Sequence, residues 1–485
     1  MVDIEGTSLD AATAAFLRRE RIRAVCLFRK NLGSEAEIRQ LTAELRQAMG
    51  PGALIAMDQE GGTVARATCL PAAPAAMALG AIGDEGLAEQ VGAAIARGLR
   101  HLGVNWNFAP VLDVNNNPAN PVIAERSFGS DPHAVTRLAR AWMRGAQREG
   151  VACCVKHFPG HGDTHVDSHH ALPQVDKSLA QLQALELIPF AALAPVAPAV
   201  MTAHIVYPQL DPERPATLSP VLLSTVLRGQ LGYDGVVITD ALMMKAVHER
   251  YGPARAAVMA LAAGADMPLA QGSRDEQRAV LAAIAQAQQD GQLSAGQLAR
   301  SVARLNALAA RHPGLPGELT AAQRAADEAL MAHAHAAALT AVGAPQPPAR
   351  DARLRVVTQG RVPSDGVSEA GVDCAAVREL FAGFQDVRFV EVDSLAALSP
   401  AELAAGDRQV VLVSNTRVRY AHGGRLSADL HLALWNPFQA LDVAAPAVLT
   451  WGFAPPALQA LRAWLEGRSS APGQAPVTLV PGACA

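Results

Sequence analysis

One recurrence constrains this chain more than any other feature. Between residues 20 and 270, short apolar runs rich in β-branched residues return at 23–28, 53–57, 104–108, 151–155, 199–202, 236–239 and 265–269, with helix-like segments between them. The runs are apolar at consecutive positions, so both faces of each strand must be covered, as in a parallel sheet wrapped by crossover helices. One crossover is legible in detail. Ser34 and Glu37 have capping-box spacing, Ile38, Leu41 and Leu45 form one apolar stripe, and Gly50-Pro51 stops the helix. Chemistry-bearing residues stand at the ends of the runs: Asp58, Asn107, Lys156 with His157, His204 and Asp240, with Asp266 inside the last run. A doubly wound sheet would gather such residues near a crevice, whereas a (β/α) barrel brings every carboxyl strand end to one mouth. The expected fold class is α/β, with a (β/α)8 TIM-type barrel as its larger part.

A barrel of about 250 residues leaves much of this 485-residue chain over. After an Ala-rich helical stretch, Gly343-Ala-Pro-Gln-Pro-Pro-Ala349 has the proline density of a linker. Beyond it, apolar runs at 354–358, 387–392, 410–414, 447–451 and 477–480 alternate with helical segments such as 455–465. The expected division is a catalytic barrel over 1–340, a linker over 341–350 and a smaller α/β sandwich-like domain over 351–485. Half the residues are hydrophobic and 18% are charged, which excludes wholesale disorder. Forty-one Lys and Arg against 45 Asp and Glu give a net charge of -4 without a basic run, so nucleic acid is not an expected partner. No run of 18 strongly apolar residues offers a membrane span, and Met1-Val-Asp-Ile-Glu-Gly6 lacks the features of a secretory signal. A cytoplasmic location is expected. The six cysteines, Cys26, Cys69, Cys153, Cys154, Cys374 and Cys484, follow no framework spacing and read as buried free thiols.

The densest chemistry lies in one segment, Lys156-His157-Phe-Pro-Gly-His161-Gly-Asp163-Thr-His165-Val-Asp167-Ser-His169-His170. So many polar groups after a strand, in a loop with two glycines and a proline, cannot be core packing. Two chemistries fit. His157, His161, His165, Asp167 and His169 could ligate a metal, since imidazole and carboxylate suit zinc. Alternatively, Asp167 and His169 form a dyad in which the carboxylate orients the ring so that its other nitrogen shuttles a proton. Asp240 closes the run Gly235-Val-Val-Ile-Thr-Asp240 and could act as nucleophile, metal ligand, substrate clamp or plain helix cap. In Asp58-Gln-Glu60-Gly-Gly62 the glycines admit a ligand close to the backbone and the carboxylates could hold hydroxyls. Arg126, in a loop of turn formers, could grip hydroxyls or a carboxylate, or tie down its own loop. No Gly-x-Ser-x-Gly elbow supports a serine hydrolase.

The loop Lys156-His-Phe-Pro-Gly-His-Gly followed by Asp167-Ser-His169 resembles the signature of glycoside hydrolase family 3 β-N-acetylglucosaminidases of the NagZ type. Residues 1–9, Phe28-Arg-Lys-Asn31, Asp58-Gln-Glu-Gly-Gly62 with Arg66, Asn107-Phe-Ala-Pro-Val-Leu-Asp113, Arg126-Ser-Phe-Gly129, Met201-Thr-Ala-His204 and Pro215-Ala-Thr-Leu-Ser219 resemble family segments in family order, over about residues 1–340. The nucleophile segment departs from the pattern of other members, reading Thr239-Asp240-Ala241 where they have Ser-Asp-Asp.

The resemblance implies a retaining, two-step mechanism through a covalent glycosyl-enzyme. Asp240 would be the nucleophile, His169 the general acid/base and Asp167 the carboxylate that orients it. Asp58, Arg66, Arg126, Lys156, His157 and His204 would line the N-acetylglucosamine subsite. The implied activity is that of an exo-β-N-acetylglucosaminidase acting on peptidoglycan fragments (muropeptides) or chito-oligosaccharides, with neither metal nor other cofactor. Its expected partner is the small carbohydrate alone, with no membrane, and the chain is expected to be a monomer or weak homodimer. A phosphorylase built on the same site is a rival, because a neutral histidine does not repel phosphate as a carboxylate would. A metal-dependent hydrolase and a sugar-binding protein without catalysis are the other readings.

Overall fold

The computed structural model describes residues 1–166, 172–364, 366–403, 406–417, 419–420 and 426–479. Its first 270 residues contain seven parallel strands: β1 (Ala24–Cys26), β2 (Leu54–Met57), β3 (Trp106–Asn107), β4 (Ala152–Phe158), β5 (Ala199–Thr202), β6 (Val236–Ala241) and β7 (Met267–Leu269). They pair in chain order, and each falls on one of the seven apolar runs. The sheet closes through the first residues of the chain. Val2 bridges β1 and the end of β7 in parallel, with Val2 N–H donating to Ala24 O at 3.1 Å and Ala270 N–H to Met1 O at 2.9 Å. One residue therefore supplies the eighth stave of the expected barrel.

Alternation sorts the strand residues into two buried layers. Cys26, Ala56, Trp106, Cys154, Met201 and Ile238 point inward, while Val25, Ile55, Cys153, Val155, Val200 and Val237 meet the surrounding helices. Register sets Ala56, Trp106 and Ala152 abreast across β2, β3 and β4. The small inward side chains leave room for Trp106 and Phe108, whose rings meet edge to face at 5.4 Å. Outside, the helix α1 (Glu35–Met49) starts at the capping box of Ser34 and Glu37, buries Ile38, Leu41 and Leu45, and ends at Gly50, whose φ is +80°. The helices α2 (Glu85–His101) and α3 (Pro132–Arg148) pack side by side on the barrel, with Gly92 and Gly145 permitting their close approach.

Asp266 does not join the mouth. It precedes β7, at the opposite end of the barrel, where Arg228, Arg304 and Ser301 hold its carboxylate at 2.5, 3.2 and 2.7 Å. An acid at the start of a parallel strand faces away from the carboxyl ends, and it serves here as a structural anchor. Cys26, Cys153, Cys154 and Cys374 are buried free thiols and Cys69 is half-buried and free, while Cys484 lies outside the described residues.

The helix α4 (Ala321–Ala338) leads into a six-stranded sheet: β8 (Thr340–Val342), β9 (Arg353–Gln359), β10 (Asp386–Val392), β11 (Gln409–Ser414), β12 (Leu430–Ala433) and β13 (Ala447–Leu449), in the order β8-β13-β12-β11-β9-β10. All pairings are parallel except β8 with β13. The proline-rich stretch thus follows directly on an edge strand of the second sheet. Two expectations for this region need correction. Leu430–Ala433 is a strand although His431 interrupts its apolar run; the ring is buried and its Nε2 lies 2.6 Å from Ser414 Oγ. The run at 477–480 forms no strand over its described part; Pro476, immediately before it, lacks the N–H group a ladder requires. Instead Pro476 O accepts from Ser130 N at 3.1 Å, and Val477 packs with Met77 and Ala78, strapping the second domain to the barrel.

The carboxyl ends of the second sheet face the barrel mouth. Trp435, just past β12, donates its indole N–H to Glu125 Oε1 at 2.8 Å, and Thr63 Oγ1 donates to the same oxygen at 2.6 Å. Burial pushes the Glu125 carboxyl above its usual range, and these two hydrogen bonds only partly offset that shift.

Candidate active site

The mouth holds a cavity of about 370 Å³, lined among others by Asp58, Arg66, Arg126, Lys156, His157 and Asp240. Asp58 directly follows β2. Behind it the chain makes a tight hairpin, Gln59–Gly61 against Val64–Ala65, pinned by Asn107, whose Oδ1 accepts from Gln59 N at 3.0 Å and whose Nδ2 donates to Gln59 O at 2.9 Å. Gly62, at φ +59°, packs so closely on Ala75 that a Cβ would stand 2.5 Å from the alanine methyl.

Lys156, two residues before the end of β4, is 2% exposed and donates to Asp58 Oδ1 and Glu60 Oε1, both at 2.6 Å. Arg126 approaches Glu60 from the short turn Ala124–Arg126, with Nε on Oε2 at 2.9 Å and Nη2 on Oε1 at 2.8 Å. Glu60, read in the sequence as a holder of hydroxyls, is thus engaged by two cations. Burial alone would raise its pKa, but Arg126 and Lys156 hold the carboxyl far below the carboxylate range. Conversely, burial would lower the Lys156 ammonium, yet Asp58 and Glu60 hold it above its usual value. The quartet is a charged, pre-ordered wall suited to hydroxyl and amide groups of a polar ligand.

His157, the next residue, is set by Asp113. Its Nδ1 lies 2.7 Å from Asp113 Oδ2, and the backbone amides of His157 and His161 donate to Oδ1 at 3.1 and 2.7 Å. Burial would raise the Asp113 carboxyl, but His157 and His161 together outweigh it and the net shift is downward. His161 Nδ1 lies 2.9 Å from Thr164 Oγ1, and the two histidine rings meet edge on at 5.7 Å. Asn120 ties this loop to that of Arg126: its Nδ2 donates to His161 O at 2.8 Å and its Oδ1 accepts from Ile123 N at 2.7 Å. Among the described residues, no three His, Cys, Asp or Glu side chains converge as metal ligands. Asp167 and His169 lie outside the described residues; the last described position before them is Val166.

Asp240 is the penultimate residue of β6 and lines the cavity, with Oδ1 accepting from Ala241 N at 2.8 Å. His204 lies behind it. That ring is fully buried, with Nδ1 2.8 Å from Thr217 Oγ1 and Nε2 3.0 Å from Ala241 O, and it does not line the cavity. It props the turn after Asp240. Arg66 lines the cavity and pairs with Glu369 of the second domain at 2.8 Å, while Gly366 and Val367 complete the wall. Four placements were not read from the sequence: Glu60 between two cations, Asp113 under the histidines, His204 behind the wall and Glu369 beside Arg66. Glu60, Asp113 and His204 stand in segments that the sequence singled out for other reasons, whereas Glu369 left no trace.

A barrel mouth that gathers acids and cations around a sugar-sized cavity defines an enzyme site for a small polar ligand. The model of the glycosyl hydrolase family 3 N-terminal domain matches residues 1–308, and the chain belongs to that family of glycoside hydrolases. A β-hexosaminidase of Chromobacterium violaceum is 42% identical over 293 residues, 59% of this chain and 82% of that one. β-Hexosaminidase A of Pseudoalteromonas piscicida is 38% identical over 337 residues, 63% of this chain, and the match spans only 56% of that longer protein. Among solved structures, a family 3 β-N-acetylglucosaminidase from Paenibacillus sp. superposes with a TM-score of 0.84 at 34% identity, covering 99% of this chain and 97% of that one.

Proposed function

We propose that the protein is a retaining exo-β-N-acetylglucosaminidase that removes terminal N-acetylglucosamine from the non-reducing end of chito-oligosaccharides or peptidoglycan fragments. The observation that carries this reading is the presentation of Asp240 on a cavity of about 370 Å³ that Lys156, Asp58 and Arg126, held together through Glu60, also line. That volume is near the small end of ligand sites, about 300–1,000 Å³, and favours one sugar over a run of them. The names of the similar proteins support the same sugar class.

In the proposed reaction, Asp240 attacks the anomeric carbon while protonated His169, oriented by Asp167, gives its proton to the departing oxygen. Neutral His169 then takes a proton from water, which attacks the same carbon and frees Asp240. The Ala241 amide on Oδ1 fixes the nucleophile's orientation. Lys156, Arg126, Arg66, Asp58 and His157 hold the sugar, and the chain's own side chains suffice without a cofactor. Peptidoglycan recycling in the cytoplasm is the proposed setting.

The test is digestion of chitotriose with and without phosphate, following the products by NMR. The expected result is N-acetylglucosamine released from the non-reducing end, first as the β-anomer, at a rate independent of phosphate. Release of a sugar 1-phosphate only when phosphate is present would favour the phosphorylase reading, and initial release of the α-anomer would rule out retention.

A further inference from the structure

The second sheet presents a crevice to the barrel. From β10 to β13 its strands run β10-β9-β11-β12-β13, so the chain reverses direction between β9 and β11. Open parallel sheets bind ligands outside the carboxyl ends of the strands at such a reversal. Here the segment leaving β9 crosses to the barrel's sugar cavity. Glu369 N–H donates to Thr63 O at 2.9 Å, Val367 packs on Val122 and Ile123, and Ser364 Oγ donates to Ser368 O at 2.7 Å. Val122 and Ile123 belong to the loop that delivers Arg126. The segment therefore rests on the cavity's own framework.

Glu369 ends this segment with Oε1 2.8 Å from Arg66 Nη1 and Oε2 3.9 Å from Arg29 Nε. Arg66 is 8% exposed, and its buried Nε has no hydrogen-bond partner among the described residues. Among the described residues, the Arg66 side chain has no other ion pair that fixes it. A guanidinium on a flexible stem loses rotamer freedom when it must meet a ligand, and a fixed carboxylate removes that cost beforehand.

We infer that Glu369 is a positioning residue of the sugar subsite, by which the second domain holds Arg66 in the conformation that receives the glycone. The inference rests on the proposed reading of Arg66 as a sugar contact. It also marks a difference from relatives of barrel length. The Chromobacterium protein is matched over 82% of its length by 59% of this chain, which leaves it no room for a comparable second domain.

The experiment measures kcat and KM on 4-nitrophenyl N-acetyl-β-glucosaminide, and N-acetylglucosamine binding by calorimetry, for the full chain and its variants. Glu369→Ala is expected to raise KM and the sugar's Kd about tenfold with kcat nearly unchanged, the scale of one charge-assisted hydrogen bond. Glu369→Gln, which keeps an acceptor at the same place, is expected to recover part of that loss. In an Arg66→Ala background, Glu369→Ala is expected to add nothing. Arg419→Ala serves as the docking control: its guanidinium reaches Pro118 O at 3.3 Å across the same interface, and its KM is expected to match wild type. Unchanged constants in Glu369→Ala, an effect that persists without Arg66, or an equal effect in Arg419→Ala would each overturn the inference. Wild-type binding of the sugar without turnover would refute the proposed reaction and leave the Glu369 result readable from Kd alone.

Discussion

Asp113, fully buried, pairs with His157 at the cavity wall, Oδ2 to Nδ1 at 2.7 Å, and its second carboxylate oxygen also gathers the amides of His157 and His161. The root of the histidine-rich loop is thereby fastened to the segment that follows β3. Replacing Asp113 by Ala would leave two buried amides and a ring nitrogen without their acceptor. A loss of about 3–5 kcal/mol is expected, as for breaking a buried pair, together with a fall in kcat/KM. Thermal melts and kinetics on the same preparation check this. Asp113→Asn, which retains an acceptor for the amides, should lose less stability than Asp113→Ala.

Glu60 stands between Lys156 and Arg126, and its charge offsets both. In Glu60→Gln the two cations lose the carboxylate between them, leaving Asp58 on Lys156 and the more distant Asp113 and Asp58 acting on Arg126. The expected outcome is a KM increase of about tenfold or more, since loss of a buried charge partner exceeds the median surface pair. Kinetics on a 4-nitrophenyl N-acetylglucosaminide give the number; a KM equal to wild type would mean that the wall does not need Glu60.

Both of these carboxyls have folded-state pKa values below their ordinary ones, 4.5 for Glu60 and 3.8 for Asp113. A depressed acid contributes stability that is present above its unfolded pKa and is lost as pH falls toward the folded value. The melting temperature should therefore decline as pH drops below about 4.5, and Glu60→Gln should flatten that part of the profile. Melts in a pH series on wild type and variant test the sign.

Much of the barrel was legible because its strands are buried on both faces. Runs such as Val236-Val-Ile238 have few alternatives to a covered parallel strand. The eighth stave was not, since a single residue, Val2, carries no periodicity. Lys156, Asp58, Arg126 and Asp240 converge as their places at strand ends and loops imply. His204 also follows its strand, but it turns inward to Thr217 and Ala241, a choice of rotamer that no linear spacing encodes. Glu369 is 303 positions from Arg66, and only the docking of two domains brings the pair together. Asp266 misled for a simpler reason: it opens its strand rather than closing it.

The role of Asp240 is tested most directly by covalent trapping. The full chain is incubated with an activated fluorinated N-acetylglucosaminide that glycosylates quickly and turns over slowly, and the labelled peptide is then located by mass spectrometry. The expected result is one sugar on Asp240, with no label on Asp240→Ala and a fall in that variant's kcat of about four orders of magnitude or more, as for loss of a nucleophile. A label on Asp58 or Glu60, or an Asp240→Ala variant that still turns over at the wild-type rate, would contradict it.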